Sequence, residues 1–159
     1  MLENEKSHTE LDSLEDIKAT VGKLLAVDFG DVRTGLAVSD ASRLLASGIG
    51  YISVGGIEKT AQAIAESASQ TRAIGVIVGL PINMDGSEGF RAERCREFAD
   101  LLRDRLPTTP IVMMDERLTT VSASRYLNET NTRGAKRKGV IDTLSAQIIL
   151  QNALDRLKF

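Results

Sequence analysis

Apolar positions along this chain fall into short continuous runs and into stripes at helical spacing, and after an opening block of runs the two kinds alternate. Leu24, Leu25, Ala26 and Val27 form the first run, which ends on the ionisable Asp28; Phe29 follows, then Gly30, Asp31 and Arg33 break the pattern. A second run opens at Gly35 and covers 36–38 before Ser39 and Asp40. Two such runs around a glycine-containing polar break predict strand, tight turn, strand. An acid therefore sits at the root of a hairpin. Burying a carboxylate there is costly unless it meets a cation, a metal or hydrogen-bond donors, so Asp28 is the first candidate for chemistry.

Residues 46–54 combine small, apolar and β-branched residues and predict a third strand, antiparallel to the second by proximity. Ile57, Ala61, Ile64 and Ala68 predict a helix over 57–70, and 73–78 is a continuous apolar strand of the kind buried on both faces of a parallel sheet. The Gly-, Pro-, Asn- and Asp-rich stretch 79–90 reads as a loop. Ala92, Cys95, Phe98, Ala99 and Leu102 mark a helix over 91–106, stopped by Pro107 and Pro110. A fifth strand, 111–114, leads into Asp115, Glu116 and Arg117. Thr119 or Thr120 can cap a helix over 121–128, and the last helix spans 141–157 with Leu144, Ile148 and Leu154 available for the core. The order βββαβαβαα describes an α/β protein with a five-stranded mixed sheet flanked by helices. Low hydrophobicity over 1–22 predicts a mobile acidic extension, in which Leu11, Leu14 and Ile17 form one short helical stripe, ahead of a single domain over 23–159.

With 159 residues, 42% hydrophobic and 26% charged, the chain can bury a core without metal or disulfide staples. Its one cysteine, Cys95, lies in the charged helical stretch RAERCREFAD and suits a bystander thiol in a reducing compartment. The one histidine, His8, is in the polar N-terminal segment, which leaves zinc sites and Ser-His or Cys-His catalysis without their histidine. No apolar run reaches the about 18 residues of a membrane span, and the start of the chain lacks a secretory pattern, so a cytoplasmic location and no membrane partner are expected. The net charge of −2 divides unevenly: residues 1–22 hold six acids against Lys6 and Lys18, which leaves a mildly basic body able to meet nucleic acid.

In a sheet of this order, sites form at the carboxyl ends of strands near the point where strand order reverses. If the first strand is central and the fourth and fifth lie beyond it on one side, Asp28 and Glu116 can converge at that edge, and Asp142 begins the last helix. Three carboxylates from distant segments suit Mg²⁺ or Mn²⁺, hard ions that take oxygen ligands and keep water and phosphate in their shell. Each acid also has an ordinary role open to it, as a backbone cap, a surface partner of Arg117 or a helix N-terminal charge.

The stretches VDFGDVRTGLAVSD, VGLPINMDGSEG, DERLTT and DTLSAQIILQ, in this order, resemble the YqgF or RuvX family from about Lys23 to Leu157. The resemblance implies a ribonuclease H-like fold and a bacterial source. It also implies Asp28, Glu116 and Asp142 as metal-binding catalytic acids on Mg²⁺ or Mn²⁺. The implied activity is endonucleolytic hydrolysis of phosphodiester bonds in 5′-end processing of pre-16S ribosomal RNA, with Holliday-junction resolution in DNA as the older assignment. Partners implied are an rRNA precursor or branched DNA, with ribosomal assembly particles. Asp115 precedes Glu116 in the same motif, and either can be the inward acid. A fourth carboxylate, usual in the related RuvC and ribonuclease H enzymes, has no equivalent in these motifs.

Further residues are placed to meet substrate. Gly79, Leu80 and Pro81 with Asn83, Asp85 and Gly86 suit either a close phosphate backbone or a structural turn. Arg33 in the first turn and Arg117 beside the acid can hold a phosphate or neutralise neighbouring carboxylates. Arg133, Lys136, Arg137 and Lys138 run without an intervening acid just before Asp142, as a phosphate clamp or a solvated loop. At 4% aromatic content, base stacking is a weak expectation. Two rivals share these features: the phosphate-binding opening of sugar kinases and actin-like ATPases, which need two such domains, and a non-catalytic RNA-binding ribosome-assembly factor on a nuclease scaffold.

Overall fold

In the computed structural model, residues 13–117 and 137–158 are described, the side chains of 137–142 excepted. The elements are α1 (Leu14–Lys18), β1 (Leu24–Asp28), β2 (Thr34–Ser39), β3 (Ala46–Ile52), α2 (Ile57–Thr71), β4 (Gly75–Leu80), α3 (Phe90–Arg105), β5 (Ile111–Asp115) and α4 (Arg137–Leu157). The five strands form one sheet in the order β3-β2-β1-β4-β5, antiparallel across β3, β2 and β1 and parallel across β1, β4 and β5. This is the mixed five-stranded sheet that the hydrophobic pattern predicts, with β1 at its centre.

Alternation along the strands sorts the core into two layers. Leu25, Val27, Val76, Val78 and Ile111 pack against α2 and α3 through Ala61, Ile64, Phe98 and Leu102, and Phe29 stacks on Phe98 with ring centroids 4.6 Å apart. Leu24, Ala26, Ala37, Ile77, Val112 and Met114 turn the other way, onto Ala146, Ile149, Leu150, Ala153 and Leu154 of α4. α4 lies low over β3 because Gly48 has no side chain: a Cβ there would overlap the Thr143 methyl.

The end of β4, the start of α4 and the place of Ile148 differ from expectation. β4 runs two residues further than 73–78, because Gly79 and Leu80 pair with Met114 and Asp115 and so belong to the strand rather than to the loop. α4 starts at Arg137 instead of 141. Ile148 lines a cavity, whereas Leu144 and Leu154 are buried as predicted. The helix expected over 121–128 lies outside the described residues.

The extension expected over 1–22 also needs correcting for its second half, since residues 14–22 are docked. Ile17 is fully buried in the α4-side layer, beneath Gly75, where it supplies apolar burial that polar neighbours conceal in the sequence. Arg43 ties the segment down, its Nε donating to Gly22 O at 2.8 Å, Nη1 to Ile17 O at 3.0 Å and Nη2 to Thr20 Oγ1 at 2.8 Å. We expect Ile17→Ala to cost about 2–5 kcal/mol in urea unfolding, the range for truncating a buried aliphatic side chain. A loss below about 0.5 kcal/mol, typical of surface changes, would return the segment to the status of an appendage.

Candidate active site

Strand parity decides where each acid points. Leu24 and Ala26 of β1 face α4, so Asp28, two residues on, does too. Val112 and Met114 of β5 face α4, so the next residue on that side is Glu116, and Asp115 is turned to the opposite face. Glu116 N–H donates to Leu80 O at 3.2 Å, which holds the end of β5 against β4. The alternative between Asp115 and Glu116 is resolved in favour of Glu116.

A cavity of about 290 Å³ opens at this edge, lined by Asp28 from β1, Met114 and Glu116 from β5, Arg91 from the first turn of α3, and Ser145, Ile148, Ile149 and Asn152 from α4. The α4 residues recur at three- and four-residue spacing, one helix stripe. Gly79 stands on β4 between the two acids. A Cβ there would overlap Glu116 Oε1 and lie 2.6 Å from Ile149 Cδ1, so the carboxylate lies over the bare backbone of β4. The sequence reading left Gly79 open between substrate approach and a turn; its role is to make room for Glu116.

Burial pushes the Glu116 carboxyl above its ordinary range; the Arg91 guanidinium pulls it back, and Asp115 pushes it further up. Beneath them, burial and the nearby charges of Glu116 and Asp28 push the Cys95 thiol up to about 12, which makes it the inert thiol expected. Asp115 goes the other way. Arg117 donates Nε to both its oxygens at 3.1 Å and Nη2 to Oδ2 at 2.8 Å, holding its carboxyl below the usual range.

Of the remaining predicted residues, those described, Arg33, Asn83 and Arg117, are not among the residues that line this pocket. Arg117 also donates Nη1 to Asn83 O at 3.2 Å, so it neutralises Asp115 and pins the 81–89 loop. Asn83 Nδ2 donates to Ser87 Oγ at 3.0 Å, and Asp85 accepts from the Ser87 N–H at 2.9 Å, which knits that loop onto itself. Arg33 lies over the Tyr51 ring, 5.4 Å from its centroid. Arg133 and Lys136 are outside the described residues, as are the side chains of Arg137, Lys138 and Asp142. Among the described residues no three acids, histidines or cysteines group closely enough to hold a metal ion, and no helix is long and apolar enough to cross a membrane.

Sequence reasoning missed Arg91, Ser145 and Asn152. The signal for the α4 pair was their spacing from Asp142 along one stripe; for Arg91 it was a cation in the first turn after a glycine-rich loop at the same sheet edge.

Because the Glu116 carboxyl is raised on folding, its ionised form is disfavoured in the native state. That penalty is absent below its unfolded pKa of 4.5 and complete once the pH exceeds the raised native value. Glu116→Gln is therefore expected to raise the urea midpoint of the chelator-treated protein at pH 7 and to lose that gain as the pH falls toward 4. An equal gain at both pH values would show that ionisation is not its source.

Residues 22–156 match the RuvX family, described as Holliday junction resolvase. Relatives named "Putative pre-16S rRNA nuclease" include one from Ruminiclostridium cellulolyticum, 40% identical over 136 residues that cover 85% of this chain and 95% of that one. Another, from Myxococcus xanthus, is 44% identical over 133 residues, covering 84% and 87%. Among solved structures, T. thermophilus RuvC in complex with Holliday junction substrate is similar at a TM-score of 0.56 and 12% identity, covering 85% of this chain and 94% of that one, a likeness of fold. The fold is thus that of the RuvC-like, ribonuclease H-like nucleases, and the chain belongs to the RuvX family.

Proposed function

We propose that this chain is a divalent-metal-dependent endonuclease acting in the cytoplasm on the 5′ end of pre-16S rRNA, with assembling ribosomal particles as partners, and that Asp28, Glu116 and Asp142 are its metal-binding acids. The observation that carries this reading is the meeting of Asp28 and Glu116 in one pocket at the carboxyl edge of the parallel strands. The oxygen donors of the lining fit a hard ion: two carboxylates, a hydroxyl and an amide, with the Met114 thioether as the one sulfur and no imidazole or thiolate. Residue 142 precedes Ser145 by three positions and Ile149 by seven on α4, which puts its backbone on the stripe that faces the cavity, one turn before Ser145.

Bound Mg²⁺ or Mn²⁺ would supply a water acidic enough to attack and a counter-charge for the leaving oxygen. The protein's own groups do the rest. Asp28 and Glu116 concentrate negative charge where a cation is needed. Arg91 offers its guanidinium at the rim, where a non-bridging phosphate oxygen can accept from it. The apolar surfaces of Met114, Ile148 and Ile149 limit water in the floor of the pocket. Arg137 and Lys138 fall in the first turn of α4, where the helix dipole adds to their positive charge and favours phosphate, and Arg133 and Lys136 extend that run.

Substrate choice follows from valence. The chain carries one such pocket among its described residues, and the relatives at 40% and 44% identity bear the ribosomal name, whereas symmetric junction resolution needs two incisions. Asp28→Asn is expected to lower cleavage of an rRNA precursor at least about 100-fold while the circular dichroism spectrum stays unchanged, a larger loss than ligand-supporting residues give. Parental cleavage by the variant would refute the acid assignment. In the parent, a stable dimer that makes paired cuts in a four-way junction and ignores the RNA would make it a resolvase instead. Changing Lys136, Arg137 and Lys138 together to alanine should weaken binding across sequences and flatten its salt dependence by up to about three units of slope on a duplex. An unaltered slope would leave this segment as solvated surface.

A further inference from the structure

The row of the sheet that carries Asp28 continues away from the pocket to an exposed aromatic. Asp28 pairs with Gly35 of β2, and Gly35 pairs with Tyr51 of β3, so the three share one row and one face. Two observations fix that face as the α4 side. Leu36, next to Gly35, and Ile52, next to Tyr51, both pack into the opposite layer. Two inter-strand steps put Tyr51 about 10 Å from Asp28, and the strand residue between them in that row is Gly35.

This placement depends on an irregularity. The pairing shifts between Leu36 and Ala37, with Ile49 as the extra residue and Gly50 at φ +111°. Gly48 faces α4, so without the shift strict alternation would send Tyr51 to the α2–α3 side. Bulges at sheet edges near active sites commonly re-aim a side chain in this way. Tyr51 remains 48% exposed on an edge strand, and the Arg33 guanidinium lies over its ring. An exposed ring with a planar cation over it thus lies in the row, and on the face of the sheet, that carry Asp28.

We infer that Tyr51 and Arg33 form a stacking subsite for one unpaired nucleobase of the substrate strand, a few nucleotides from the bond cut at Asp28, with Arg33 also contacting the adjoining phosphate. This inference rests on the nuclease reading above and narrows it to a strand that is single at that position. A base inside a duplex presents its faces to its neighbours and cannot stack on a side chain, whereas unpaired bases stack on tyrosine and arginine with little regard to sequence. Glycine at 35 means that β2 itself places no side chain between the acid and the ring in that row.

The test uses the full chain, a single-stranded RNA oligonucleotide carrying 2-aminopurine, and the same sequence fully paired. Binding is read by fluorescence in Ca²⁺, so that cleavage does not enter the measurement. Tyr51→Ala and Tyr51→Leu are expected to weaken single-strand binding about 5- to 150-fold, to abolish 2-aminopurine quenching and to leave duplex binding within about twofold. Tyr51→Phe and Tyr51→Trp should bind and quench like the parent. Parental single-strand affinity in Tyr51→Ala, restoration by leucine, or equal losses on single strand and duplex would each overturn the inference. The two readings fail separately. Full affinity in Tyr51→Ala with loss of cleavage in Asp28→Asn removes the subsite and keeps the nuclease, and the opposite pair of results removes the acid assignment and keeps the subsite.

Discussion

Two carboxylates that meet in one pocket at the carboxyl edge of the parallel strands, one of them desolvated by burial, are the constraint around which this structure is arranged. Asp28 and Glu116 come from strands separated by β4, and only the register of β1 on β4 and β4 on β5 makes them neighbours. The arrangement is unfavourable by itself. Glu116 is poorly hydrated, and its carboxyl is raised for that reason. The protein offsets part of the cost with Arg91 at the rim, and a bound cation would offset the remainder. Native proteins have only about 5–15 kcal/mol of net stability, so charge held this way indicates use.

Gly79 shows how tightly the backbone is adapted to that charge. It lies on β4, between the strands that carry the two acids, and a side chain there would collide with Glu116 and Ile149. The Glu116 carboxylate lies in the space that such a side chain would take. The two faces of the sheet divide the labour. The α2–α3 face is closed by aliphatic packing and the Phe29–Phe98 stack, while the α4 face carries apolar packing at one end and the pocket at the other.

Around the pocket the cations are assigned by reach. Arg117 is occupied with Asp115 and the Asn83 carbonyl, and Arg96 forms a two-point bridge to Glu88, Nε–Oε1 at 2.6 Å and Nη2–Oε2 at 2.8 Å, that fastens the loop before α3. Arg94 reaches Asp31 in the first turn at 3.1 Å. These pairs are largely exposed and each contributes little stability. Their effect is geometric: they set the two loops that border the pocket, and they leave Arg91 facing it.

The sequence by itself determined the class of every described strand and long helix and the candidacy of Asp28 and Glu116, because apolar period and glycine punctuation are local properties that survive in one dimension. It also pointed to Arg117 as a neutralising partner, since Asp115 is two residues away. Only the tertiary structure decided which of Asp115 and Glu116 faces the pocket. Alternation puts them on opposite sides, but which side holds α4 depends on how distant segments pack. The same is true of Ile17, whose burial needs Gly75 and α4 above it, and of Arg91, which becomes part of the site only when α3 starts at the edge where β1 ends. Tyr51 is the sharpest case: a one-residue shift in β-pairing turns it toward Asp28, and pairing register is set by the partner strand.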